Sequence, residues 1–246
     1  MINYLITNIK MIFRIPLTVF FSIVYPIMMM FIIVFSYGNI DIGEGFHLID
    51  KYFIISIGLG ILPLSLVSFP VWIASEIQDN SMKRMQYFRV SFFSIICSDI
   101  IAFFLIGIFS MIIDTVLGFL VFGLKIPNIL YFLCFYLQCF ISLVVYMLLG
   151  GLIAITLKKV HLVMPCGLVL MFALYMICGA FISYDELPDT IKSISAFMPM
   201  KYAMIDFFNV WNESQLFNST FLLLSLLYVV IISSLLLLVF NKRYKR

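Results

Sequence analysis

Six apolar stretches, at about 17–37, 52–74, 92–122, 129–157, 162–181 and 221–240, dominate this sequence. An α-helix rises about 1.5 Å per residue, so about 20 apolar residues match the roughly 30 Å hydrocarbon core of a bilayer. Inside lipid the backbone N–H and C=O groups must find partners within the segment, and for an isolated apolar run only a helix achieves that. The chain therefore reads as an all-α polytopic membrane protein with six transmembrane helices. Composition agrees: 64% of residues are hydrophobic and 11% charged, where a soluble domain carries about a quarter charged residues. The third and fourth runs exceed the bilayer and should tilt or project beyond it.

Lys and Arg are retained on the cytoplasmic side of membrane proteins. With both termini cytoplasmic, Lys10, Arg14, Lys83, Arg84, Arg89, Lys158, Lys159, Lys242, Arg243, Lys245 and Arg246 lie inside, eleven of the fifteen basic residues. Lys51, Lys125, Lys192 and Lys201 then lie outside with eight of the twelve acids, among them Asp41, Asp50, Glu186 and Glu213. This asymmetry points to a multi-pass protein of the cell inner or plasma membrane. The net charge of +3 is spread between apolar runs rather than along one face, which argues against a nucleic-acid partner. Cys97, Cys134, Cys139, Cys166 and Cys178 all fall within apolar runs and form no C-x-x-C pair, so neither disulfides nor a metal site are expected.

The whole chain, 1–246, is read as one membrane domain. In residues 1–15, Ile2, Leu5, Ile9, Ile12 and Phe13 recur at helical spacing while Asn8, Lys10 and Arg14 occupy other positions. That pattern predicts an amphipathic helix lying in the cytoplasmic interface, ended by Pro16, which cannot continue the hydrogen-bond ladder. The first run is about 20 residues long and lacks a small-residue cleavage site, so it is expected to stay as a span. Pro26, Pro63, Pro70 and Pro165 fall inside or near spans, and the backbone groups they free need partners on neighbouring helices.

Segment 75–91 concentrates Glu76, Asp79, Lys83, Arg84 and Arg89 between the second and third runs. Asp79, Asn80 and Ser81 suit an N-cap, and Met82, Met85 and Phe88 follow at three-residue spacing. A helix of two turns is predicted, with Lys83, Arg84 and Gln86 on its other face. A short cytoplasmic helix with apolar knobs and basic rims, tethered by a span at each end, suits docking into a groove of a soluble partner. The plainer reading is that its basic residues only fix topology. Residues 182–218 carry two apolar stripes, Leu187, Ile191, Ile194, Met198 and then Met204, Phe207, Phe208, Trp211. Both are too short to span and are expected to lie in or re-enter the outer interface as short helices.

Together these features resemble the permease subunit of ABC-2 type exporters. In that family the second span ends in a Glu, followed by a coupling helix with a Gly-Thr-Leu-like step and a Pro-Val-Ser-like entry to the third span. Here Glu76, Asn80-Ser81-Met82 and Arg89-Val90-Ser91 stand at those places, with Asn80 for Gly and Arg89 for Pro. Asn tolerates the left-handed turn a Gly would make, whereas Arg at the proline place changes the exit of the loop. Gly179, Pro188, Pro199 and Tyr202 resemble the family's outer pattern before the last span. The resemblance implies that Glu76, Ser81, Met82, Lys83, Arg84, Met85, Tyr87 and Phe88 couple to an ABC ATPase.

None of the 12 Gly is followed by Lys, so the chain has no phosphate loop. The resemblance then implies that a separate ABC ATPase, in two copies, binds ATP and Mg, and that this chain is no enzyme and holds no cofactor. A second permease, as homodimer or heterodimer, would complete the path, with membrane lipid around it. A compact permease with an apolar interior suits amphipathic or hydrophobic cargo such as antimicrobial or cytolytic peptides. Asp99 and Asp114 lie within the third run, about 22 Å and 60° apart on a helix. A carboxyl at such depth is functional or paired: either the two line a substrate path, or each bonds locally to Ser98, Ser110 or Thr115. The alternative, an ion-gradient-driven secondary transporter, would ordinarily show more intramembrane charge and repeat symmetry. A lipid-processing enzyme would need clustered Asp, His or Glu.

Overall fold

The first described helix is α1 (Ile2–Phe13), and Pro16 is the first residue of α2 (Pro16–Val19), where its missing N–H costs nothing. A π-helical turn (Phe20–Val24) leads into α3 (Tyr25–Tyr37). A two-stranded antiparallel hairpin, β1 (Asp41–Gly43) and β2 (Phe46–His47), precedes α4 (Leu48–Pro63). After a second π turn (Leu64–Ser68) come α5 (Phe69–Gln78), α6 (Ser81–Tyr87), α7 (Phe92–Phe122), α8 (Ile129–Leu157) and α9 (Val160–Ile177). The remainder comprises α10 (Asp189–Ser195), α11 (Pro199–Lys201), a third π turn (Tyr202–Asp206), α12 (Phe208–Trp211) and α13 (Ser219–Tyr244). This computed structural model describes residues 2–13, 16–38, 40–43, 46–87, 92–181 and 184–244.

Among the described residues, five helices are long and apolar enough to cross a membrane: Leu48–Gln78, Ser94–Phe122, Ile129–Leu157, Val160–Ile177 and Ser219–Val239. The expected sixth, the first run, gives a shorter apolar helix, Phe20–Ser36. Leu48–Gln78 is the axis of the bundle, with 94% of its most apolar 18-residue stretch buried, whereas in Ser219–Val239 at the periphery the corresponding share is 11%. The run expected at 162–181 stops at Ile177 because Gly179 takes φ 81°. The Ala180 N–H then reaches back to Tyr175 O at 3.0 Å, closing the helix end on itself.

The prolines decide which helices touch. Pro26 and Pro63 have no N–H to offer the carbonyls one turn earlier, Ser22 and Leu59. The Ser110 hydroxyl of α7 donates to Ser22 O, and the Tyr175 hydroxyl of α9 donates to Leu59 O at 2.7 Å. At Pro70 the π register, with Phe69 N–H bonded to Leu64 O, exposes the carbonyls of Ser65 and Leu66. Two glycines lie against them: a Cβ on Gly150 of α8 would fall 2.2 Å from Ser65 O, and one on Gly167 of α9 would fall 2.1 Å from Leu66 O.

Polar contacts hold the two ends of the bundle. At one end the Gln78 side chain accepts from Val160 N–H at 3.2 Å. At the other, Asp50 accepts from His47 and Lys125 backbone N–H groups at 2.7 and 2.9 Å, and Glu213 accepts from Asn128 N–H at 2.6 Å. The second stripe in 182–218 folds as short helical pieces. It is broken by the third π turn, and Met204, Phe207 and Trp211 are buried in the bundle, Trp211 with its ring 5.0 Å from those of Phe53 and Phe135. Their bulk is too apolar to leave at an interface when the gap between α4 and α8 can take it.

Candidate functional site

After the membrane-crossing helix that ends at Gln78, the described residues 79–87 fold as a turn and a helix. Asn80 takes φ 54°, the left-handed backbone that a Gly would otherwise supply. Arg84 N–H bonds to Asn80 O at 3.0 Å, starting α6, and the Ser81 hydroxyl donates to Glu76 O at 3.0 Å, tying the new helix to the end of α5. The Arg84 guanidinium donates to Asp79 O at 3.0 Å and stays exposed. Met82 and Lys83 lie within α6. Phe88 and the Arg89-Val90-Ser91 step fall outside the described residues. Two side chains take roles that their spacing does not indicate: Met85 packs against the bundle, and Tyr87 projects from it, 87% exposed.

One turn before α6, Glu76 is buried, and Asp99, near the start of α7, is fully buried beside it. Asn8 of α1 donates its amide to Asp99 Oδ1 at 2.5 Å, while the Glu76 carboxyl and the Trp72 indole also face Asp99. Three elements, α1, α5 and α7, thus meet at a buried polar point next to the turn that starts α6. The expectation that Asn8 sits off the buried stripe is corrected: its amide points inward, because a carboxyl at this depth needs a donor. Asp114 is buried fifteen residues further along α7, beside Tyr136, whose hydroxyl pairs with that of Thr115. The fold does not bring Asp99 and Asp114 together. Neither takes Ser98 or Ser110 as its partner among the described contacts, since Ser110 is committed to Ser22 O.

At the far end, Gly179 closes α9, Pro188 precedes α10 and Pro199 opens α11. The Tyr202 hydroxyl donates to Ala196 O at 2.8 Å, and burial pushes the Tyr202 hydroxyl above its ordinary pKa against the pull of Lys201. Lys201 forms an ion pair with Asp206 at 2.6 Å and lies 5.1 and 4.5 Å from the Tyr184 and Tyr202 rings. The segment docks on the bundle where Met200 N–H bonds to the Tyr146 hydroxyl at 3.0 Å. The Lys201–Asp206 pair is not among the residues that motif and spacing single out, although opposite charges at i, i+5 across a proline-initiated helix are the signal for it.

Among the described residues no group of three His, Cys, Asp or Glu could hold a metal ion. A family model described as ABC-2 type transporter matches residues 4–210. No curated protein and no solved structure matches the chain.

Proposed function

The chain belongs to the ABC-2 type transporter family, and from that premise we propose that it is the membrane-spanning permease of an ATP-driven exporter. Two copies, or this chain and a sister subunit, pair to enclose the path, and two ABC ATPases bind ATP and Mg beneath them. The protein sits in the inner or plasma membrane with both termini and α6 on the cytoplasmic side. The observation that carries this reading is α6 itself. It is a seven-residue helix held between the ends of two membrane-crossing helices, with Tyr87 and Arg84 exposed on it. Exposed aromatic and Arg side chains on a tethered helix are what a partner's groove grips.

Force applied to α6 passes along two routes. Through the Ser81–Glu76 bond it reaches the buried axial span, and through the chain it reaches α7, which Asn8 ties to α1 at Asp99. ATP-driven closure of the ATPases would thereby tilt α5, α7 and α1 together. Cargo with a large apolar surface suits so apolar a bundle, and antimicrobial or cytolytic peptides are the class we favour. The test is co-purification of a phosphate-loop ATPase with the tagged chain, followed by ATP hydrolysis in vesicles against a panel of such peptides. Stimulated hydrolysis is expected only with the ATPase bound. Transport by the chain alone, driven by an ion gradient, would sink the proposal in favour of a secondary transporter.

A further inference from the structure

Between α7 and α8 the bundle leaves a lateral groove of about 490 Å³, within the roughly 300–1,000 Å³ of small-ligand sites. The six-residue stretch 123–128 lets the two helix ends part, and the rings of Phe132 and Tyr136, 4.8 Å apart, stand in the gap. Ile112, Val116 and Phe119 wall one side, and Leu133 and Phe140 the other. At its floor the Thr115 hydroxyl donates to Met111 O at 2.7 Å and accepts from the Tyr136 hydroxyl. Both hydroxyl hydrogens are thus committed within the protein, and the rest of the lining is apolar, which leaves little to hold a water that needs two or more polar partners.

Length selects the occupant. The α7 lining runs from Ile108 to Leu120, about 18 Å at 1.5 Å per residue, close to one leaflet of a roughly 30 Å hydrocarbon core. It lies on the half of α7 that leads to the 123–128 connection. A partner's transmembrane helix, about 10–12 Å across, would seat along the whole span. A groove confined to one leaflet and lined by half-exposed aliphatic and aromatic side chains fits a single hydrocarbon chain. We propose that it binds one acyl chain of a membrane phospholipid from the leaflet at the 123–128 end. The chain fills space that would otherwise cost its lining van der Waals contacts and holds α7 and α8 apart.

Native mass spectrometry of the mildly extracted protein tests this directly. One phospholipid per protomer is expected to remain on the wild type. V116W and L133W, which fill the groove, should lower that occupancy roughly tenfold, while L237W, on the 64% exposed Leu237 of α13, should not. Absence of retained lipid on the wild type, or equal retention in both filled variants, overturns the proposal. So does separation of paired permeases by V116W or L133W, since the groove would then be a protein interface. Should both variants fail to fold, a spin-labelled phospholipid added to reconstituted wild type decides the question: a motionally restricted component supports a bound chain, and its absence overturns it. Each readout is independent of ATP coupling, so failure of the exporter reading would leave it intact.

Discussion

Pro63 leaves Leu59 O without its helical donor, and the Tyr175 hydroxyl takes that place. Y175F keeps the ring and its contacts with Phe172 and Phe181 while removing the donor. Interhelical hydrogen bonds in membranes are worth about 0.6–2 kcal/mol, so a loss of about 1 kcal/mol is expected, read as a lowered Tm in detergent. An unchanged Tm would show that the carbonyl is satisfied otherwise. Gly167 sets a harder limit. The atom a methyl would meet is the backbone oxygen of Leu66, which cannot rotate away, so G167A should cost about 1–3 kcal/mol as overpacking does. Gly151, whose Cβ would meet only Phe69 Cε1 at 3.6 Å, supplies the control: G151A should be close to neutral. The orphaned carbonyls are legible in the sequence, since each lies one helical turn ahead of a proline. Their donors are not, because Ser110 and Tyr175 lie 88 and 116 residues away from the groups they satisfy. A lone Ser or Tyr within an apolar run reads the same whether it meets a carbonyl or a lipid.

At the scale of the element, α6 separates what spacing reveals from what packing decides. Its place, its left-handed Asn80 and its start at Ser81 are set by turn and capping chemistry, which is local. Which side chain projects is not, because Met85 is drawn onto the bundle by neighbours that only the tertiary fold supplies. The same limit explains Asn8: helical spacing in α1 is legible, but the carboxyl that turns its amide inward sits 91 residues on. N80G should be nearly silent and N80V should cost about 1–2 kcal/mol, since a β-branched residue resists φ 54°; thermal unfolding distinguishes them. Y87A and R84E should leave insertion and Tm unchanged yet weaken ATPase binding by roughly tenfold or more, as removal of an interface anchor does. M85D, by contrast, should lower Tm, since it places a carboxylate against an apolar surface. If Y87A binds the ATPase as tightly as wild type, the exposed face of α6 is not the grip.

For the whole molecule the question is parity, since five spans leave the termini on opposite sides of the membrane and six leave them together. The first run decides it. Pro16–Val19, the π turn and α3 run on without a break for 22 residues, about 33 Å at 1.5 Å per residue. The segments flanking this run are held at opposite ends of α7. Asn8 reaches Asp99 near its start, while Asp50 holds Lys125 just beyond its end. On the six-span reading, a helix connecting those two points crosses the bundle and the bilayer with it. Charge agrees, because a first run lying flat would move Lys10 and Arg14 to the outer side, against the cytoplasmic retention of basic residues. Cysteine labelling checks the sidedness. With a thiol reagent that cannot pass the membrane, I40C and E213C should react on intact cells, and K10C and K159C only after permeabilisation, with wild-type labelling of the native cysteines subtracted. Ile40, Glu213, Lys10 and Lys159 are all exposed on the protein, so failure to react would reflect sidedness rather than burial. Reaction of K10C and I40C from the same side would place both ends of the first run on one face of the membrane and would rule out a six-span permease.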